Sequence, residues 1–279
     1  MLKDFELYLK NYPFQFKGSV LDAVEYSFYN AGKRIRPLLL LSLLKDYDFK
    51  VKQGYSAALA IEMIHTYSLI HDDLPAMDDD DYRRNKLSNH KVFGVDIAIL
   101  AGDALLTESF ASISDDANLN NDQKVELLSS LSKHAGLRGM VYGQQLDLKF
   151  ENKDVSLENI RDINIYKTSQ LIIFSLKAAA IISNNKKDIK ELEILGENLG
   201  LAFQIQDDIF DVSKTFEELG KKPSDEENNK STYVKVLGLD KSKHFLNQLF
   251  NDIYTILNKL NLKDDNLYSI IKEIEERNY

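Results

Sequence analysis

Two runs of aspartate carry the chemistry open to this sequence. In HDDLPAMDDDDYRRN, His71 to Asn85, six aspartates fall within ten positions and two arginines follow at once. In QIQDDIFD, helical spacing sets Gln204, Asp207, Asp208 and Asp211 at i, i+3, i+4 and i+7, one polar stripe. Carboxylates crowded like this repel one another unless a cation or a proton lies between them. Oxygen donors without sulfur suit magnesium or manganese. Arginines beside such carboxylates bind phosphate oxygens in bidentate fashion. Divalent cations held next to guanidinium groups describe a polyphosphate site. A calcium loop is excluded, because Asp78, Asp80, Tyr82 and Asp79, Asp81, Arg83 both break the required alternation.

Helices must position these groups. Apolar residues recur at three- and four-residue steps through Ser19–Tyr29, Pro37–Leu44, Tyr55–Asp72, Val95–Ser112, Asp122–Leu137, Ser156–Ser183, Lys187–Val212 and Lys241–Leu260. No alternating strand pattern stands out, so the fold expected is all-α. Polar connections are expected near Asn85–Phe93, Asp115–Asn121, Asn184–Lys186 and Ser213–Lys230. Ala57–Ile70, Ile172–Ile182 and Ile194–Ile209 are apolar almost all round and belong inside a large bundle. The acidic runs therefore emerge from the ends of buried helices. His65 and Asp72 share a face, roughly 10 Å apart along the axis. Leu74 precedes Pro75 and leaves helical geometry, so the short Leu74–Met77 excursion can return Asp78 toward Asp72 and Asp73. Along the second stripe, Gly196 and Gly200 are expected to leave open space.

Basic residues complete the set. AGKRIRP, Ala31 to Pro37, places Lys33, Arg34 and Arg36 at the start of an apolar helix, where backbone N–H groups also favour anions. Taken alone, it reads better as an exposed basic loop. In IYKTSQLIIF, Lys167 either snorkels to solvent or serves a site, and Thr168 is equally a core hydroxyl. Lys221 and Lys230 lie in a polar stretch that either closes over a ligand or stays unfolded.

Composition limits the alternatives. The chain has 279 residues, 44% hydrophobic and 28% charged, enough for one large core. With no cysteine, disulfides, thiolate nucleophiles and cysteine-ligated zinc are excluded, and a reducing cytoplasm is the default location. The net charge of −9 disfavours generic nucleic-acid binding. No signal-like N-terminal segment or uninterrupted apolar run of membrane-spanning length is apparent.

The blocks AGKRIRP, EMIHTYSLIHDDLPAMDDDDYRR, FGVDIAILAGDALLTESF, GMVYGQQLDL, YKTSQLI, FQIQDDIFD and NNKSTY, in this order, resemble the trans-isoprenyl diphosphate synthases, most closely the bacterial farnesyl diphosphate synthases. The resemblance implies a single domain over residues 1–279, an antiparallel helical barrel around a deep apolar cavity, and a homodimer. It implies that Asp72, Asp73, Asp78, Asp207, Asp208 and Asp211 hold magnesium, about three ions per site with substrate bound, with manganese as a substitute. Arg83, Lys167, Lys221 and Lys230 would bind the allylic diphosphate. Lys33, Arg36, His65 and Arg84 would bind isopentenyl diphosphate. Lys167 (through its carbonyl), Thr168 and Gln204 would face an allylic cation, and closure around Ser224–Lys230 would exclude water. Tyr67 and Ser68, about one turn below Asp72, would set chain length, the bulky Tyr67 stopping growth at farnesyl.

The sequence departs from that pattern in four places. Ala31 replaces a glycine, and Tyr142 replaces another where it could crowd the cavity wall. RRNKLSNHKVFG lacks the glycine and proline usual after the arginines, and the Gly220–Asp225 loop is one residue short. Among other readings, a geranylgeranyl synthase would differ in product length, and a terpene cyclase of the same fold would not need AGKRIRP. A metal-dependent phosphohydrolase built on His71, Asp72 and His65 leaves DDIFD without a role. A non-catalytic subunit tends to lose one acidic motif, and both are present.

Overall fold

Helical periodicity becomes helices almost throughout a computed structural model that describes residues 1–14, 17–30, 32–153, 155–213 and 232–277. In chain order these are α1 (Leu2–Lys10), α2 (Ser19–Phe28), α3 (Ile35–Asp46), α4 (Tyr55–Asp72), α5 (Asn89–Phe93), α6 (Val95–Ser114), α7 (Asn121–Ala135), α8 (Met140–Phe150), α9 (Leu157–Asn164), α10 (Gln170–Ile182), α11 (Ile189–Ser213), α12 (Tyr233–Leu237), α13 (Leu239–Lys259) and α14 (Asn266–Glu275). Pro37 sits in the first turn of α3, where its missing N–H costs nothing.

The helices that are apolar all round take the centre. Along α4 every residue from Tyr55 to Ile64 is buried, and α10 is nearly as dry. Helix α4 packs against α3, α6 and α10, while α10 packs in turn against α7 and α11. One hydrophobic cluster runs from Phe5 to Ile274 among the described residues. Side-chain caps fix the joints. Asn120 and Gln123 form a reciprocal capping box at the start of α7, and Gln123 Nε2 also donates to Ile182 O at 2.8 Å. Asp46, buried at the end of α3, accepts from the backbone N–H of Asn266 (3.0 Å) and Leu267 (2.7 Å). It thereby caps α14 and docks the C-terminal helix on the core.

Three local features differ from the sequence expectation. The stretch after the acidic run is a small hairpin, β1 (Tyr82–Arg83) and β2 (Lys86–Leu87), followed by α5. Its turn residues, Arg84 and Asn85, both have positive φ, 54° and 61°. That is the geometry of a tight hairpin turn, and asparagine tolerates it where a glycine is otherwise favoured. The helix expected over Ser156–Ser183 is interrupted by a π-helical turn, Ile165–Ser169, which holds Lys167 and Thr168. Gly196 and Gly200 leave no open space, because α10 and this π turn already fill it. A Cβ on Gly200 would lie 2.2 Å from Ser169 Oγ, and one on Gly196 would lie 2.8 Å from Ile173 Cγ1. Both glycines permit a close helix–helix approach.

By length and hydropathy, Val95–Ser114 and Leu157–Ile182 could each cross a membrane. The second is mostly buried within the fold. The first packs on α2 and α4 and carries Asp103 and Glu108, the latter bonded to Tyr12 at 2.6 Å.

Candidate active site

The ends of α4, α8, the π turn and α11 meet around a cavity of about 850 Å³. Its lower wall is apolar, with Tyr67, Met140, Val141, Leu148, Leu171 and Phe203. Its mouth is charged. Asp72 and Asp78 line it from the end of α4 and Asp207 from α11. The return of Asp78 works as the proline argument requires: the chain bends at Leu74–Met77, and Asp78 N–H donates to Asp72 O at 2.9 Å.

Not every carboxylate of the two runs reaches the cavity. Neighbouring residues on a helix point about 100° apart, so of two adjacent aspartates only one can face inward. Asp73 turns away and is 2% exposed, accepting from Arg83 Nε at 2.9 Å and from a second Arg83 nitrogen. Asp208 is 3% exposed and accepts from Tyr233 N–H at 2.8 Å and from Gln204 Nε2 at 3.2 Å. It therefore anchors the start of α12. Asp211, one turn beyond Asp207, is half-buried and is not part of the cavity lining. Asp80 and Asp81 serve cations of their own surface, Asp80 pairing with Arg83 and Asp81 with Lys91 Nζ at 2.7 Å.

The carboxylates at the end of α4 are frustrated. Burial pushes the Asp72 carboxyl up to about 6; Lys167 pulls it back and Asp78 raises it further. Burial likewise raises Asp73 to about 6 against the opposing pull of Arg83. Such a site gains from a bound cation, and an all-oxygen donor set fits magnesium.

Basic groups gather beside the carboxylates. Lys33, Arg36, His65, Arg83 and Arg84 all line the cavity. Burial holds the His65 imidazole well below its ordinary value, and Arg36, Arg84, Arg83 and Arg34 add to the effect, so it is neutral. Burial and nearby Arg84 lower Arg36 to about 10 despite Glu62, and its Nε is buried without a hydrogen-bond partner among the described residues. Cations packed this closely await an anion. Arg34 is different: its side chain is buried and donates to Glu62 Oε1 (2.6 Å) and Phe28 O (2.8 Å), with φ at 52°. That anchored left-handed residue aims its two neighbours, Lys33 and the start of α3, toward the cavity.

On the π turn, Lys167 Nζ donates to Asp147 Oδ2 at 2.5 Å. Burial opposes its charge, but Asp147 and Asp72 more than offset this and raise its pKa. Thr168 and Gln204 line the same cavity. Tyr67 and Ser68 form its wall below Asp72, as their spacing predicts. Tyr142 does not crowd it: the ring is 37% exposed and packs edge-on against Tyr166 at 4.9 Å, away from the cavity lining. Lys221, Lys230, Ser224 and Ala31 lie outside the described residues.

Three residues at or beside the cavity stand outside the assignments made from the sequence. Gln144 has a buried Nε2 without a partner among the described residues, and Asp147 holds Lys167. Arg277, near the C-terminus, reaches Asp207. The GMVYGQQLDL block could have pointed to the first two. Nothing local marks Arg277, which is brought in only by the docking of α14.

A helical barrel with two acidic sides above an apolar pocket defines a class, and the model of the polyprenyl synthetase family matches residues 18–272. The chain belongs to that family. It is 50% identical to a farnesyl diphosphate synthase of Micrococcus luteus over 92% of this chain and 89% of that one. It is 42% identical to the farnesyl diphosphate synthase of Bacillus subtilis, over 94% and 90%. Among solved structures, a Helicobacter pylori geranyltransferase in complex with magnesium and isoprenyl diphosphate superposes with a TM-score of 0.87. It shares 35% identity and covers 98% of this chain and 93% of that one.

Proposed function

We propose that this chain is a prenyltransferase that joins isopentenyl diphosphate head-to-tail to dimethylallyl or geranyl diphosphate, giving (2E,6E)-farnesyl diphosphate. One observation carries the reading: a single cavity holds Asp72 and Asp78 together with Asp207, a cluster of cationic side chains, and an apolar wall beneath them. Asp72, Asp78 and Asp207 would hold magnesium, with Asp211 able to complete the α11 side. Asp73 and Asp208 would act indirectly, Asp73 by fixing Arg83 and Asp208 by fixing the chain at Tyr233. Bound magnesium supplies charge neutralisation to the diphosphate as it leaves the allylic carbon. The number of ions, and manganese as a substitute, belong to the same proposal.

The side chains do the rest. Arg83 and Lys167 bind the allylic diphosphate, with Lys221 and Lys230 assigned there by resemblance alone. Lys33, Arg36, His65 and Arg84 receive the diphosphate of isopentenyl diphosphate, whose negative charge relieves the mutual repulsion of these groups. Neutral His65 donates a hydrogen bond without adding another charge. As the carbon–oxygen bond breaks, the diphosphate gains negative charge against fixed cations, and the allylic fragment becomes a cation in a dry pocket. The Lys167 carbonyl, Thr168 hydroxyl and Gln204 amide oxygen offer partial negative charge there without a strong nucleophile. The double bond of isopentenyl diphosphate attacks, and the released diphosphate takes the proton.

Tyr67, 7% exposed on the cavity wall, supports farnesyl over a longer product. A homodimer is part of the same reading. It is supported by the apolar face of α6, where Ile99 is 41% and Leu100 50% exposed. So are a single domain, supported by the one continuous core, and a cytoplasmic location, which suits a chain without cysteine.

The test is product analysis with labelled isopentenyl diphosphate, either primer and magnesium. Condensation to farnesyl diphosphate is expected, and no condensation product from either primer refutes the function. Asp72→Ala and Asp207→Ala should each lower the rate at least a hundredfold, roughly the loss seen when charge stabilisation is removed, with helical content unchanged. Full activity in either variant would put the metal elsewhere.

A further inference from the structure

Arg277 enters the site from the far end of the chain. Asp46 caps α14, and Gln206 Nε2 on α11 donates to Glu275 O at 2.8 Å, so the last turn of α14 is pinned against α11. The Arg277 guanidinium there is 5% exposed and lies 3.7 Å from the centre of the Phe203 ring. Its Nε donates to Gln206 Oε1 at 2.7 Å, and one terminal nitrogen donates to Phe203 O at 2.8 Å. That same nitrogen donates to Asp207 Oδ1 at 2.7 Å. Among the described residues, the stacking on Phe203 and the hydrogen bonds to Gln206 and Phe203 do not involve Asp207. The charge is therefore held in place whatever Asp207 binds.

A carboxylate oxygen already paired to a fixed cation is a poorer ligand for a second cation. The penalty is Coulombic and is strongest in a pocket with little solvent. A diphosphate reverses the sign, because Arg277 then lies beside a group carrying several negative charges and lines the same cavity. We infer that Arg277 makes cation loading on the Asp207 side conditional on the diphosphate, opposing a metal ion bound alone and favouring it once the anion is present. The site would then fill as a unit, and a metal ion would not occupy α11 ahead of substrate. This rests on the proposed role of Asp207 as a metal ligand. Arg277 acts here as a positioning charge.

Equilibrium dialysis of the full chain measures this, with free manganese set by a metal buffer and inorganic pyrophosphate absent or present. Without pyrophosphate, Arg277→Gln should bind manganese about tenfold more tightly than the parent, equivalent to about 1.4 kcal/mol. With pyrophosphate the difference should close or reverse. Arg277→Met, which keeps an apolar stem on Phe203, should behave like Arg277→Gln, and Arg277→Lys should return toward the parent. The gain should vanish in an Asp207→Ala background. Manganese affinity unchanged or weakened in Arg277→Gln and Arg277→Met without pyrophosphate overturns the inference and leaves the prenyltransferase reading intact. A parent that binds no manganese under either condition overturns both the metal role of Asp207 and this inference.

Discussion

Gly143→Ala tests directly how the structure positions the π turn. Helix α8 crosses the π turn with Gly143 at the contact, and a Cβ there would lie 2.1 Å from Lys167 N and 2.5 Å from Lys167 Cα and Tyr166 C. These are backbone atoms, so no side-chain rotation relieves the clash. To restore ordinary contact, the helix or the turn must shift by about 1.3 Å. Overpacking of this kind costs about 1–3 kcal/mol. The functional loss should be larger in proportion, because the turn carries Lys167 and Thr168 into the cavity. A misplacement of about 1 Å at a reacting centre costs roughly a hundredfold. Gly143→Ala should therefore lower kcat/KM for labelled isopentenyl diphosphate by about a hundredfold, with a fall in Tm of a few degrees. Tyr142→Ala is the control: its ring faces outward, and kcat/KM should stay within about threefold of the parent. A Gly143→Ala enzyme with parental kcat/KM and parental Tm would show that the π turn does not set the site geometry.

Tyr67→Ala should lengthen the product toward geranylgeranyl, since it removes the ring that closes the pocket below Asp72; an unchanged product profile by chromatography contradicts that role. His134 offers a pH test remote from the acidic runs. Burial lowers its pKa to about 4, and Gln170 Oε1, 2.7 Å from Nδ1, offsets only part of this. A depressed histidine adds stability that is complete above its unfolded pKa of about 6.5 and is lost as pH falls toward the folded value. By pH 5 the loss is about 2 kcal/mol, so the stability difference between the parent and His134→Gln should shrink by that amount between pH 7 and pH 5. Parallel denaturation curves at the two pH values would remove this role.

The sequence by itself determined the helical class, because three- and four-residue apolar steps admit little else, and all-round apolar helices must be central. It also determined which groups could meet. Pro75 ends α4 and returns Asp78 to Asp72, and spacing puts Tyr67 and Ser68 on the wall beneath. Local pattern could not decide which member of each aspartate pair faces inward. Asp72 and Asp207 turn to the cavity, while Asp73 and Asp208 turn to Arg83 and Tyr233, and the choice follows from how each helix is rotated against its neighbours. Periodicity did not reveal the π turn, since one extra residue within an apolar run leaves the pattern almost unchanged. Gly196 and Gly200 looked like vacant space along a polar stripe and proved to be sites of close approach, a property of the partner helix. Arg277 is the clearest case. It lies seventy residues beyond Asp207 and becomes its neighbour only because Asp46 caps α14 and Gln206 pins its end.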